Sequence, residues 1–465
     1  MWYWDLRVDR YSSISTDAAL HEMISRYAST RRPIRVDFRR LVPCLPSPDR
    51  ATHLLHPYPA KLLVHIPFFF LANEMLSRRG DTVLDPFCGS GTVPLEAGLA
   101  GRKGLGTDLN PLATLVASVK TRRLDPGRLR AACSSLLSRV GGDPSGPTPD
   151  VVNLNHWFYP HVIRELRCIL DAIRSTRCRE YRRFFLVCFS SCVRKVSLAD
   201  PRLSVPVRLR PGKYPVGHRL RGKMARHLRA LRTVRVKKVF AAVLQANCRR
   251  MSALAQLAAG EITAKIFASD ARDLRYGANS NGRMSRRLSR NSVQLIVTSP
   301  PYPGAQKYIR SSSLCLGWLG MCPSQDLISY KRRTIGREEF AVSERQSPPA
   351  TGLTSADRLV RALHGVDPTR AAIAATYLCE MREALTEAHR VLRPGGHLAL
   401  VVGNNQICQR QFRTQNYLRL IAEQIGFEVV LRMVDTIRSR GLMTKRNKSA
   451  GVITREWVLL FRKGG

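Results

Sequence analysis

DTVLDPFCGSGTVPLEAGLAGRKGLGTDLNPLATLVASVKT, residues 81–121, decides the fold. A short strand, TVLD, runs into a turn that carries Gly89 and Gly91. An amphipathic helix, VPLEAGLAG, and a second strand, GLGTD, follow, which is a βαβ opening. The glycines let the backbone turn tightly and approach a ligand without a Cβ in the way. The loop feeds a helix N-terminus, which favours a negative group such as a carboxylate. Asp108 ends the second strand, 23 residues after Asp85. An acid there accepts hydrogen bonds from both ribose hydroxyls of a nucleoside. The loop has neither the GxGxxG order of a dinucleotide site nor the GK[ST] of a P-loop. Its ligand should be a nucleoside with a small charged tail.

The same rhythm returns later in the chain, in AKIFASDARDL (264–274), NSVQLIVTS (291–299) and EALTEAHRVLRPGGHLALVVGNN (383–405). GFEVVLRMVD (426–435) and TREWVLLFRK (454–463) read as a terminal hairpin. Strands are expected at 82–85, 104–108, 265–269, 292–298, 397–403, 427–435 and 454–462. The first five alternate with helices, as a parallel doubly wound α/β sheet requires. In VTSPPYPGAQKY (297–308) two prolines stop a strand, because proline cannot donate to the ladder. Ser299-Pro300-Pro301-Tyr302 is therefore a stiff loop at a strand's C-terminal end, where ligands bind in such sheets.

The chain has 465 residues, with 76 Lys and Arg against 34 Asp and Glu, a net charge of +42. That excess points to a polyanionic partner, most simply nucleic acid. The 12 cysteines form no CxxC pair or zinc-type cluster. They read as reduced thiols in a cytoplasmic protein with no metal. MWYWDLRVDRYSS has no apolar h-region, so no signal peptide is expected. LLVHIPFFFLANEML (62–76) is too short to span a membrane and reads as a core helix.

These motifs together carry a resemblance. The chain resembles the S-adenosylmethionine-dependent DNA methyltransferases that modify exocyclic amino groups, the N4/N6 DNA methylase family. DPFCGSGT resembles that family's methionine-binding loop, and GTDLNP its ribose-binding acid. TSPPY resembles its catalytic motif, in the form typical of cytosine-N4 members; adenine-N6 members more often have Asp or Asn before the prolines. HPYPAKL (56–62) is similar to a segment that closes over the cofactor's methionine end. ASDARDL (268–274) is similar to one whose acid, here Asp270, contacts the adenine amine. The resemblance covers residues 53–121 and 262–463.

The resemblance implies a Rossmann-like, seven-stranded methyltransferase sheet with a basic, mainly helical insert. S-adenosyl-L-methionine would be held by Asp85, Pro86, Phe87, Gly89, Gly91, Thr92, Asp108, Asn110, Asp270, Tyr58 and Lys61. Catalysis would fall to Ser299, Pro300, Pro301 and Tyr302. The Ser299 side chain and the Pro300 carbonyl would accept the amino hydrogens of a cytosine extruded from the duplex, and Tyr302 would stack on it. Transfer would be a direct displacement without a covalent enzyme intermediate. Pro43-Cys44 precedes the glycine loop, which sets aside a cytosine-C5 mechanism. Cys88 reads as a small apolar filler with no histidine partner. Asp270 could instead cap a helix over ARDL. His56 and Tyr58 could simply pack under the sheet, and Trp157 and Phe158, opening a helix, read as core.

Four regions follow: a lead-in (1–52), a cofactor-binding half (53–121), a basic insert (122–260) and a catalytic half (261–465). The insert holds 29 Lys and Arg against seven Asp and Glu, a net of +22. It is expected to grip DNA phosphates and to read bases through arginine. GRMSRRLSRN (282–291) and RSRGLMTKRNKSAG (438–451) are further candidate contact segments. The stretch 335–370 reads as a loop that is mobile until DNA binds. The expected activity is cytosine-N4 methylation of double-stranded DNA in a restriction-modification system, with a cognate endonuclease as a possible partner and no membrane association. Competing readings are an adenine-N6 DNA methyltransferase, an RNA guanine-N2 methyltransferase, and a catalytically dead nucleic-acid-binding scaffold. The RNA enzymes usually carry an N-terminal RNA-binding domain, for which the roughly 50 residues before HPYPAKL are too few.

Overall fold

The computed structural model describes residues 14–45, 50–59, 61–258, 260–278, 284–286, 288–304, 308–437 and 454–464. In chain order its strands are β1 (Ile34–Val36), β2 (Thr82–Asp85), β3 (Lys103–Asp108), β4 (Ala264–Asp270), β5 (Asp273–Ala278), β6 (Met284–Arg286), β7 (Val293–Thr298), β8 (Leu392–Gly403), β9 (Asn405–Ile407), β10 (Arg410–Phe412), β11 (Phe427–Thr436) and β12 (Arg455–Lys463). Ten of them form one sheet in the order β1-β11-β12-β8-β7-β2-β3-β4-β5-β6. The run β8-β7-β2-β3-β4 is parallel, and β12 lies antiparallel to both β8 and β11.

All seven expected strands are present, and they form the centre of the sheet. Three further strands lengthen it: β1 pairs parallel with β11, and the β5–β6 hairpin extends the β4 edge. The sheet is doubly wound because side chains alternate between its faces. Val83, Leu295, Val297, Ala399 and Val401 pack on the helices Asp17–Thr30, His65–Leu71 and Thr92–Leu99. Their neighbours Leu84, Ile296, Leu398 and Leu400 pack on Pro368–Val391 and Thr414–Ile425.

Chain order reverses between β2 and β7. From β2 the chain winds outward through β3 and β4; from β7 it winds the other way through β8. These two strands are hydrogen-bonded neighbours, with Val83 opposite Leu295 and Leu84 opposite Ile296. Their C-terminal ends carry the glycine loop and Ser299-Pro300-Pro301-Tyr302, so both motifs open at the topological switch point.

Between β3 and β4 the chain is helical, with helices at Pro126–Ser138, Pro160–Arg174, Arg179–Val196, Arg219–Arg232 and Val236–Leu257. All but Arg219–Arg232 share one apolar core with Leu112, Leu115 and Val116 of the helix Pro111–Lys120 and with Trp318 of the helix Tyr308–Leu319.

Some local expectations are corrected. No helix follows Asp270: the chain turns at once into β5, so a helix-cap role is excluded. Trp157 and Phe158 precede the helix they were expected to open, because Pro160 takes its first turn, where its missing N–H is no loss. Phe158 is core, edge-on to Trp318 at 5.6 Å. The apolar window 62–76 is helical only over His65–Leu71, although every residue of that helix is buried. The stretch 335–370 is no bare loop: Thr354–His364 is a helix whose Val360 and Leu363 are buried in the core with Leu378 and Met381. Segment 438–451 and residues 282, 283 and 287 of the 282–291 stretch lie outside the described residues.

Candidate functional site

A buried carboxylate ties the two motif loops together. Asp85, at the end of β2, accepts hydrogen bonds at Oδ1 from the Thr298 hydroxyl (2.6 Å) and from the Phe87 N–H (3.0 Å). Thr298 is the last residue of β7 and stands directly before Ser299. Burial pushes the Asp85 carboxyl up to about 7.

Asp108, at the end of β3, is held just as firmly. Its Oδ2 accepts the Gly89 N–H (3.0 Å) and its Oδ1 the Asn110 N–H (2.8 Å). Burial raises it to about 6, against the opposing pull of those two N–H bonds. Asn110 caps the next helix by accepting from the Leu112 N–H (3.1 Å), with Pro111 in the first turn. Its amide also donates to the Tyr58 hydroxyl (3.1 Å) and to Ser312 (3.0 Å).

The titration of these acids sets an expected pH dependence. With Asp85 raised to about 7 and Asp108 to about 6, both carboxyls are largely protonated only below about pH 6. A ligand that needs their charged forms must displace those protons, so its affinity should rise as pH is raised from 5.5 towards 8. Calorimetric titration with S-adenosylmethionine across that range checks this, and a flat profile contradicts it.

Gly91 is where the glycine loop tolerates no side chain. Its φ is +78°, and a Cβ there would stand 2.8 Å from the Ala117 Cβ. Gly91→Val should therefore cost on the order of 2–5 kcal/mol, from the left-handed backbone and the overpacking together. The expected result is a lowered melting temperature and loss of cofactor binding. A variant that melts and binds like wild type would contradict the close approach. Cys88 is buried inside this loop and burial holds its thiol far above the usual range, which suits a filler and not a nucleophile.

One pocket opens over these loops. Of the residues expected from the sequence, Tyr58, Pro86, Phe87, Gly89, Asp108, Asn110, Asp270, Ser299 and Pro301 line it. Asp85, Gly91, Thr92, Lys61, Pro300 and Tyr302 do not. Asp85 and Thr92 are buried and support the loop from within. Lys61 donates to the carbonyls of His53 (2.9 Å) and His56 (2.7 Å), so its ammonium braces its own segment. That segment is further held by Thr52, which donates to the Lys120 carbonyl (2.7 Å), and by His53 against buried Glu96 (2.7 Å). His56 is buried, as its packing alternative has it, whereas Tyr58 reaches the pocket.

Tyr302 lies beside the pocket. Burial raises its phenol far above the ordinary range, with the Ser299 side chain pulling the other way. The Pro303 carbonyl accepts from the Asn405 amide (3.1 Å), which fixes the far end of the loop. Asp270 faces the pocket while paired with Arg272 (2.7 Å), which also reaches Glu380 (3.0 Å).

Several pocket residues escaped the reading of the sequence. Tyr308 and Ile309 open the helix after the proline loop, and Thr334 and Ile335 arrive from a segment read as a loop. Thr298 stood inside the quoted TSPPY and was the available signal for the Asp85 link. Nothing in the local sequence marks Ile335, which reaches the pocket only through tertiary packing. Among the described residues no cluster of His, Cys, Asp and Glu could hold a metal ion, and no helix is long and apolar enough to cross a membrane.

The lining fits a nucleoside with a cationic tail. Phe87, Leu109, Ala271, Ile309 and Ile335 give apolar surfaces for a flat ring, and Asp108 and Asp270 supply acids. Comparison with known proteins agrees. Residues 59–117 match the family model described as DNA methylase. The Type II methyltransferase M.MvaI of Kocuria varians is 31% identical over 156 residues, 31% of this chain and 34% of the relative. The Type II methyltransferase M.MjaII of Methanocaldococcus jannaschii is 28% identical over 108 residues, 23% of this chain and 20% of the relative. The matches thus span about a third and a fifth of these relatives. Among solved structures, a TehB-like SAM-dependent methyltransferase from Corynebacterium glutamicum is 11% identical over 83% of this chain and 82% of its own, with a TM-score of 0.25. Residues 59–117 thus carry a match to the DNA methylases, and the cofactor that this stretch and the pocket fit is S-adenosylmethionine.

Proposed function

We propose that the chain methylates the exocyclic N4 of cytosine in double-stranded DNA, as the modification half of a restriction-modification system. The observation that carries this reading is the pairing of β2 with β7. It sets the glycine loop and Ser299-Pro300-Pro301-Tyr302 at adjacent strand ends, joined through the Asp85–Thr298 bond.

In the proposed mechanism Asp108 would hold S-adenosylmethionine by its ribose hydroxyls and Asp270 by its adenine amine, and Phe87 and Ile335 would offer apolar surface. Bound S-adenosylmethionine supplies an electrophilic methyl group on a positively charged sulfur. Cytosine N4 is a poor nucleophile because its lone pair is delocalised into the ring. The Ser299 hydroxyl and the Pro300 carbonyl accept its hydrogens, which favours a pyramidal nitrogen with an available lone pair. The prolines fix φ and hold those acceptors in place. The cofactor would supply the methyl group to N4, and the proton that N4 gives up would pass to water.

Ser before Pro-Pro-Tyr supports cytosine over adenine, and the two relatives named as Type II methyltransferases support the restriction-modification setting. The test is nucleoside mass spectrometry of duplex DNA treated with the protein and S-adenosylmethionine, with RNA in parallel. N4-methylcytosine in DNA is the expected product. N6-methyladenine would overturn Ser299 as the marker of base choice, and product in RNA alone would overturn the substrate.

A further inference from the structure

The helix Tyr308–Leu319 separates two cavities. Ile309 lines the pocket, whereas Arg310 and Ser313 line a groove on the side of the basic insert. The groove is far roomier, about 1050 Å³ against about 70 Å³.

Its wall is a small hairpin. The Asp200 N–H donates to the Val207 carbonyl (2.7 Å) and the Leu209 N–H to the Leu198 carbonyl (2.9 Å). Leu198 in turn donates to the Trp157 carbonyl (2.8 Å), which locks the hairpin to the segment bearing that indole. Arg194, from the buried helix beneath, donates to the carbonyls of Asp200 (3.4 Å) and Leu203.

The charge in this groove is unbalanced. Among the described residues Arg208, Arg210, Lys213 and Arg310 make no ion pair. Asp200, the one carboxylate on the lining, is held by Arg202 at 2.9 and 2.6 Å. The Arg208 Nη1 is buried with no hydrogen-bond partner, an arrangement that calls for an incoming acceptor. Two aromatic platforms flank these cations. Trp157 is half-buried with His156 edge-on at 4.8 Å, and Tyr214 stacks on His218 at 4.8 Å and 23°.

We propose that this groove holds a strand of the DNA substrate beside the reacting base, with phosphates on Arg208, Arg210, Lys213 and Arg310 and bases against Trp157 and Tyr214. Unpaired cations interleaved with aromatic faces are the means by which proteins track a nucleic-acid strand. The proposal rests on the DNA-modifying reading above. It places the strand one helix away from Ser299, so that Arg310 contacts backbone while its neighbour Ile309 touches the cofactor pocket.

The test is fluorescence anisotropy with a labelled mixed-sequence DNA duplex over a range of salt, with an RNA of the same sequence in parallel. The variant R208Q/R210Q/R310Q should lower the slope of log K against log salt by about 2–3 and weaken binding at about 0.1 M salt on the order of 10- to 1000-fold. The variant W157A/Y214A should weaken it about 10- to 100-fold. Both should bind S-adenosylmethionine as wild type does. If the triple variant fails to fold, R210Q alone alters an exposed side chain and should still lower the slope by about 1. Unchanged DNA affinity and slope in the variants overturn the groove and leave the methylation reading standing. Losses confined to RNA overturn it as well. Lost DNA binding alongside a wild-type protein that makes no methylated nucleoside keeps the groove and sinks the activity.

Discussion

Asp108→Ala should weaken S-adenosylmethionine binding by at least about 100-fold. Hydrogen bonds to a charged acceptor contribute roughly 1.5–3 kcal/mol each, and two ribose hydroxyls lose their partner. The Gly89 and Asn110 N–H groups, now at 3.0 and 2.8 Å from the carboxylate, lose theirs too. The glycine loop therefore loosens as the ribose contact disappears. Asp108→Asn separates the two effects. The amide oxygen can still accept one of those N–H bonds, so this variant should melt close to wild type and still bind weakly. It also carries no charge to titrate at this position. If the pH dependence of binding comes chiefly from Asp108, the Asn variant should flatten it; if Asp85 dominates, it should remain. Calorimetry with S-adenosylmethionine and with its demethylated product gives the affinities. Wild-type affinity in Asp108→Ala would remove this acid from the cofactor site.

The centre of the fold was legible because its strands are short apolar runs bounded by strong punctuation. TVLD ends at Asp-Pro, GLGTD at Asn-Pro and NSVQLIVTS at Pro-Pro, so alternation with helices stood out. What was missed lies at the edges. β1 has three residues and exists because Ile34 registers against Met433, a partner almost 400 positions away that no local pattern announces. The helix Asp17–Thr30 did carry a signal: Leu20, Met23 and Tyr27 recur at helical spacing and are buried. In ASDARDL, Asp270 and Arg272 pair across a turn, so a segment with the look of a helix start becomes a hairpin instead. Pro394-Gly395-Gly396 read as a turn before a strand. It lies within β8, where the register against β7 shifts between Val293 and Leu295 and Gly395 takes a φ of +73°.

The site divided along the same line. Residues inside contiguous motifs were found, since glycine, proline and acid at a strand end each have a local physical reason to be there. Residues that reach the pocket from a distance were not. Ser312 contacts Asn110 across 202 positions, and Glu380 meets Arg272 across 108. Lys61 shows the limit of local reading: a lysine beside a cofactor loop suggests a ligand contact, and in the fold its ammonium donates to the carbonyls of His53 and His56.

Tyr302→Ala should leave cofactor affinity intact and lower turnover about 10- to 100-fold, the effect of removing one base–aromatic stack. The Ser299 side chain also acts on the Tyr302 phenol, which gives the residue a second role to test. Tyr302→Phe distinguishes them. It keeps the ring and removes the phenol hydroxyl. If stacking is what Tyr302 contributes, the Phe variant turns over like wild type. If the phenol aims Ser299 at the amino group, Phe should lose most of what Ala loses, and Ser299→Ala should match it without adding to it in the double variant. The pocket geometry favours the second outcome, because Ser299 and Pro301 line the cavity while Tyr302 does not. For stacking to win, the loop would have to turn the ring into the pocket when the base arrives. Single-turnover methylation of a duplex by the three variants, with calorimetric cofactor binding as the control for folding, decides between a platform for the base and a brace for the serine.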